Sequence, residues 1–142
     1  MTHLYTRGCE YAIRALQVLV TEPDRLMTVT EFCDRADIPE PFTRKMLQQL
    51  VRAGILDSRR GPGGGFTFAI DPNEISLMDV VVAIEGGPRT DQCVLGRHQC
   101  NDADPCPLHF DWAPIKAASI AMLETRTVSD LAKKPTKARG RR

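Results

Sequence analysis

Three of the five cysteines crowd into one short stretch, Cys93, Cys100 and Cys106, with six and five residues between them. Thiolate sulfur is a soft ligand that selects zinc, copper(I) or iron–sulfur clusters. The spacing is wider than the pairs two to four apart that a zinc knuckle uses. From Arg89 to Leu108 no apolar period can be read, and Gly96, Pro105 and Pro107 interrupt the stretch. A connector of that length with no structure of its own is unusual, and wrapping a metal or cluster would organise it. Three sulfurs leave such a site one ligand short. His109, three residues past Cys106, is the nearest candidate, His98 lies between the cysteines, and Glu10 is a third if a partner subunit brings it close. Free thiols or a thiol–disulfide switch are the competing chemistry. The odd cysteine count argues against a disulfide framework. Cys9 and Cys33 sit in apolar-periodic segments and read as small hydrophobes.

A second chemistry lies upstream. Arg44 to Arg60 holds five basic residues against the single acid Asp57, a net +4, inside a chain whose formal charge is +1. On a helical wheel of about 100° per residue, Phe42, Met46, Leu50 and Ala53 gather on one side. Arg44, Lys45, Gln48 and Arg52 gather on the other, with no acid among them. Cations there would neutralise phosphates, while Arg and Gln can fork onto guanine or adenine edges. Arg59 and Arg60 stand just before the turn Gly61-Pro62-Gly63-Gly64-Gly65, and narrow minor grooves attract inserted arginine. A phosphate-binding loop is the rival reading of the glycines. It would need Lys-Ser or Lys-Thr and a helix after them, and Phe66-Thr67-Phe68 reads as a strand instead.

The elements that must position these groups follow from the apolar pattern. Ala12, Ile13, Leu16, Leu19 and Val20 predict a helix over 7–20. Thr28 with Glu31 forms a capping-box signal for a short helix over 29–36. A third helix begins near Pro41, suited to a first turn, and stops at Gly54. Two alternating runs around the glycines predict a β-hairpin. Ser76 with Asp79 caps a helix over 77–85. A last helix is expected from about Asp111 to Leu131, with Leu108, Trp112, Ile115, Ser119 and Met122 at spacings of four and three. Helix, short helix, helix, hairpin is the order of a winged helix-turn-helix. The 142 residues, 42% apolar, suffice for one core. No run of about 18 apolar residues points to a membrane span, and no secretory signal is read at Met1–Tyr5, so a cytoplasmic location is the expectation. From Arg126 onward seven basic residues face only Asp130, and 133–142 read as a basic, disordered tail.

The run Arg60-Gly61-Pro62-Gly63-Gly64-Gly65-Phe66 after a basic helix, then the cysteine triplet, then Cys106-Pro107-Leu108-His109-Phe110-Asp111-Trp112, resembles the family of the iron–sulfur cluster regulator and the nitric-oxide-sensing repressor. These are dimeric bacterial winged-helix transcription factors, and the resemblance spans about residues 4–130. It implies a mainly α fold with a small β-hairpin wing and a long C-terminal dimerisation helix. The implied organisation is a winged helix-turn-helix over 1–72, a linking helix and cluster loop over 73–108, a dimerisation helix over 109–132 and the tail over 133–142. It implies that Phe42 to Ala53 reads the major groove and that the hairpin enters the minor groove. The candidate DNA contacts are then Thr43, Arg44, Lys45, Gln48, Arg52, Ser58, Arg59, Arg60, Gly63 and Gly64. Cys93, Cys100 and Cys106 would hold an iron–sulfur cluster. In one subgroup a His at the place of His109 completes a 2Fe–2S site. In the other an acidic residue of the partner subunit, near the place of Glu10, completes a 4Fe–4S site. Here the first cysteine gap is six residues where five is usual, and an extra residue precedes the first helix. The expected function is a homodimeric, non-enzymatic regulator on a pseudo-palindromic duplex operator, sensing redox, cluster status or nitric oxide. A zinc- or thiol-switched regulator and a small iron–sulfur electron carrier are the alternatives.

Overall fold

The computed structural model describes residues 4–89, 92–97 and 101–135. Helix α1 (Arg7–Leu19) starts where the Thr6 hydroxyl accepts the Cys9 N–H, and it buries Cys9, Ala12, Ala15, Leu16 and Leu19. Helix α2 (Val29–Ala36) starts at Thr28, whose hydroxyl accepts the Glu31 N–H. Only that half of the expected capping box forms, because the Glu31 carboxylate turns to Arg25 and the Thr28 hydroxyl. Asp37 closes α2 in the left-handed region, φ 52°, and the Arg14 guanidinium donates to its carbonyl at 3.1 Å.

Helix α3 (Glu40–Arg52) begins one residue earlier than the proline suggested. Its buried side is Thr43, Met46, Leu47 and Leu50. This corrects the wheel: Phe42 is 61% exposed and Ala53 is exposed. The reason is angular, since the inward arc runs from Met46 through Leu50 and Thr43 to Leu47 and leaves Phe42 and Ala53 beyond its Met46 edge. The hairpin is β1 (Leu56–Arg59) against β2 (Gly65–Phe68), paired Leu56 to Phe68 through Arg59 to Gly65. Met27 adds a third, one-residue rung, exchanging two backbone bonds with Phe66 at 2.9 and 2.8 Å. Gly65 sits there at φ +149°, and any Cβ on it would lie 2.6 Å from the Met27 carbonyl oxygen. Only glycine permits both the backbone angle and the approach.

Helix α4 (Leu77–Glu85) has the full reciprocal box between Ser76 and Asp79 and ends at Gly86. One hydrophobic cluster joins α1, α2, α3, β1 and α4 with Leu123 and Val128. A single core therefore crosses the boundary expected near residue 72.

The last expected helix divides. Helix α5 (His109–Thr125) stops at Arg126, which is extended, and a 3₁₀ turn (Val128–Ala132) follows. Two tertiary bonds stop it. Leu77 N–H donates to the Arg126 carbonyl at 2.9 Å, and Val128 N–H donates to that of Ile75 at 2.8 Å. Thr127 and Asp130 then cap the turn reciprocally. Of α5 itself only His109 and Leu123 are buried, while Leu108, Ile115 and Met122, seven residues apart, are 42%, 56% and 46% exposed.

Asp130 is held down to about 2 from an ordinary 3.8, first by the Lys133 ammonium and then by the Thr127 N–H. A depressed carboxyl stabilises the fold above its unfolded pKa and loses that contribution as pH falls through the folded one. Asp130→Asn is therefore expected to lower the melting temperature at neutral pH, with the difference from the parent shrinking as pH falls from about 4 toward about 2. Thermal unfolding across that range checks it, and a constant difference would refute the role given to the Asp130 charge.

Candidate functional site

Two features stand out on the described surface, and the core above holds the first of them in place. The first is a trough between α3 and the hairpin. Its walls are Arg44, Gln48, Val51 and Arg52 from the helix and Ser58, Arg59, Arg60, Gly65 and Phe66 from the hairpin. The basic side chains face outward because Met46, Leu47 and Leu50 are 4%, 0% and 0% exposed on the opposite side. Arg52, Arg59 and Arg60 make no ion pair among the described residues. Gly63 and Gly64 form the hairpin tip, where the Gly64 N–H donates to the Gly61 carbonyl at 2.9 Å. A Cβ on Gly64 would strike the Arg59 carbonyl.

Not every sequence candidate joins this trough. Lys45 lies on the other flank of α3, beside Phe42, Gln49, Gly8 and Ile84. Thr43 is a correction: it is 0% exposed, and its hydroxyl donates back to the Pro39 carbonyl at 2.7 Å. It is a core residue with its only donor already used. The wheel also missed an acid. Glu40, drawn into α3 by the earlier start, lies 3.6 Å from Arg44, both side chains 62% exposed. The four-residue spacing of Glu40 and Arg44 was the signal available in the sequence.

The second feature is the cysteine loop. Cys93 and Cys106 are 4% and 7% exposed, with a hydrogen bond between their side chains. The Cys93 thiol is held below its ordinary range, first by the Arg97 backbone N–H, then by the Leu95 N–H, the Cys106 contact and the Arg97 charge, against desolvation. The Leu95 bond is 3.4 Å. Two buried sulfurs in contact, one receiving backbone N–H groups, form a donor arrangement suited to a soft metal or to iron–sulfur ligation. His109 is buried at the start of α5, its Nε2 2.6 Å from an Asp102 carboxylate oxygen. Its N–H donates to the Cys106 carbonyl at 3.0 Å. Trp112 ties the loop to α5 from the other side, its indole N–H donating to the Gln92 carbonyl at 3.2 Å. Cys100 and His98 lie outside the described residues, and among the described ones no group of three metal-type side chains forms. Glu10 is exposed on the first turn of α1, in a cleft with Tyr5, Thr6, Arg7 and Arg89. Cys9 is fully buried in the core, its thiol pushed up to about 12 by burial and then by Glu85. Cys33 is half-buried against the same core. Among the described residues no helix is long and apolar enough to cross a membrane.

Comparison with known proteins agrees with this geometry. The Rrf2 family model, described as an iron-dependent transcriptional regulator, matches residues 5–134. A chain of Aquifex aeolicus (strain VF5) described as an HTH-type transcriptional regulator is 32% identical over 130 residues, 90% of each chain. The regulator IscR of Photorhabdus laumondii is 25% identical over 122 residues, 85% of this chain and 74% of its own. Among solved structures, CymR, the global cysteine regulator of B. subtilis, superposes with a TM-score of 0.75 at 21% identity, covering 93% of this chain and 97% of its own. T. potens IscR gives 0.70 at 21% identity, covering 95% and 92%. The match along nearly the whole chain, on a helix–helix–hairpin body of the same fold, makes this protein a member of the Rrf2 family of winged-helix transcriptional regulators, DNA-binding proteins and not enzymes.

Proposed function

We propose that the chain works as a homodimer on a pseudo-palindromic duplex operator. Each subunit would lay α3 in a major groove and its hairpin tip in the adjacent minor groove. The observation that carries this is the trough, where Arg44, Gln48 and Arg52 of a helix face Arg59 and Arg60 of a hairpin. A duplex presents a groove for a helix and flanking phosphates for cations on one surface. Ser58, Gly63 and Gly64 border the tip and Lys45 the outer flank, where each can meet the sugar–phosphate backbone. A two-fold dimer would space two such readers a helical turn apart. Support for the dimer is the exposed seam Leu108, Ile115 and Met122 on α5, the heptad pattern by which helices pair. A cytoplasmic location follows from this role.

The cysteine loop is proposed as the sensor. Cys93, Cys100 and Cys106 would hold an iron–sulfur cluster, 2Fe–2S with His109 as fourth ligand, or 4Fe–4S with Glu10 of a partner subunit. A cluster would supply electron and nitric-oxide chemistry. This chain's own residues supply the coupling. His109 and Trp112 belong to α5 yet bond to Cys106 and Gln92 of the loop, so a change of loop shape bears directly on the helix that would set the spacing of the two readers. A second reading is favoured by one contact: the touching, buried pair Cys93 and Cys106 suits a thiol or zinc switch on the same DNA-binding body.

Three measurements test these points. Arg60→Ala is expected to weaken operator binding by about 1–3 kcal/mol, and equal gel-shift titrations of mutant and parent would reject the wing assignment. Replacing Cys93, Cys100 and Cys106 by Ala is expected to abolish visible absorbance, iron and sulfide in anaerobic preparations and to alter operator affinity or its redox response. A colourless parent whose affinity responds to oxidants selects the thiol switch, and unchanged affinity in every state rejects the sensor. Ile115→Glu is expected to give a folded monomer in sedimentation, with operator affinity reduced at least tenfold, because an exposed position leaves the core intact. A stable dimer in this variant would refute the α5 seam.

A further inference from the structure

The helix ridge that lines the proposed DNA-reading trough continues, just beyond it, into an acid that phosphate binding does not explain. Glu40, Arg44, Gln48 and Arg52 follow one another at four-residue intervals, so they form a single ridge along α3. Arg44, Gln48 and Arg52 of that ridge line the trough. Glu40 continues it at the helix N-terminus, its carboxylate 3.6 Å from the Arg44 guanidinium and both side chains 62% exposed. A recognition helix presents its N-terminal residues to base edges. Against a polyanion a carboxylate at that end lowers general affinity, and an exposed ion pair of this spacing contributes little to folding. Its place in the first turn suits the helix dipole, but the dipole does not call for an arginine partner on the reading ridge.

Base-edge chemistry does. A carboxylate only accepts hydrogen bonds, and the major-groove donors are the amino groups of cytosine N4 and adenine N6. Arginine forks onto guanine O6 and N7. Cytosine N4 and guanine O6 lie side by side on the major-groove edge of one base pair, an ion-pair-sized separation. We infer that Glu40 and Arg44 act as a unit that reads one C·G pair in each operator half-site, with Glu40 the specificity-determining residue. Glu40 takes the cytosine amino hydrogen and Arg44 the guanine edge. The same carboxylate penalises a guanine or thymine in the cytosine's place, because it then meets an acceptor, and where adenine replaces the cytosine Arg44 meets only thymine O4 in place of the guanine fork. This rests on the reading of the trough as the DNA interface.

The test uses the full-length parent, Glu40→Ala and Arg44→Ala. An operator is first enriched by the parent from a random duplex pool. Binding is then measured to that operator, to its single-pair variants and to unrelated duplex. The parent is expected to enrich a C·G pair at one fixed place per half-site and to lose about tenfold or more when that pair is changed, the scale of a good base contact. In Glu40→Ala the same change should cost less than twofold, other positions should keep their preferences, and affinity for unrelated duplex should rise. Arg44→Ala should lose discrimination at the same pair. A Glu40→Ala protein whose affinity rises equally on every duplex with all preferences retained would overturn the assignment and leave the interface standing. A parent that binds no duplex at all would remove the interface and this assignment together.

Discussion

A charged helix can read a surface only if its other side is held still, and here burial of one face of α3 does the holding. Met46, Leu47 and Leu50 are lost to solvent, each worth about 1.5–3 kcal/mol as an apolar side chain leaving water. Rotating α3 to turn its cations inward would expose those groups and bury guanidinium charge, which is costlier still. The orientation of Arg44, Gln48 and Arg52 is thus a consequence of what lies beneath them. Thr43 shows the same constraint from the inside: a residue with reading chemistry is removed from the reading face by helical angle alone.

The hairpin is aimed by a different device. Met27 comes from the chain before α2, yet it exchanges two backbone bonds with Phe66, and Gly65 lies against its carbonyl. This clamp ties β2 to the body and sends Arg59 and Arg60 outward at the trough's far wall. The rung between Phe32 and Phe66, with ring centroids 6.5 Å apart in an edge arrangement, adds packing to the same joint. Helix and wing are thereby two parts of one rigid surface.

The far half of the molecule is less self-sufficient. Helix α5 buries only its two ends in this chain, His109 toward the cysteine loop and Leu123 toward the core. Between them it carries Pro114, which removes one backbone bond from the helix. Its apolar side chains Ile115 and Met122, with Leu108 just before it, stand exposed on the protomer, the surface on which the proposed twin would pack. The loop's two described sulfurs are both buried, Cys93 held by the Leu95 N–H, and Cys106 lies three residues before the start of α5, its carbonyl accepting the His109 backbone N–H.

Much of this was legible in the sequence because it depends on local rules. Thr28 and Ser76 announce helix starts by what their oxygens can accept, Gly54 and Gly86 announce stops, and the glycine run between alternating apolar segments announces the hairpin. What pattern could not supply is whatever depends on distant partners. The end of α5 is set by Ile75 and Leu77 claiming its last backbone groups, so its apolar period runs on past the point where the helix stops. Phe42 and Thr43 exchange their expected faces because the arc covered by α1, α2 and α4 decides which side is inward. Glu40 joins the Arg44, Gln48 and Arg52 ridge only once α3 starts a residue early. Composition and spacing determine which groups are present and which elements form, since those are contests between neighbours in the chain. Tertiary structure decides which of those groups meet the outside, because that is a contest over buried surface among elements far apart in sequence.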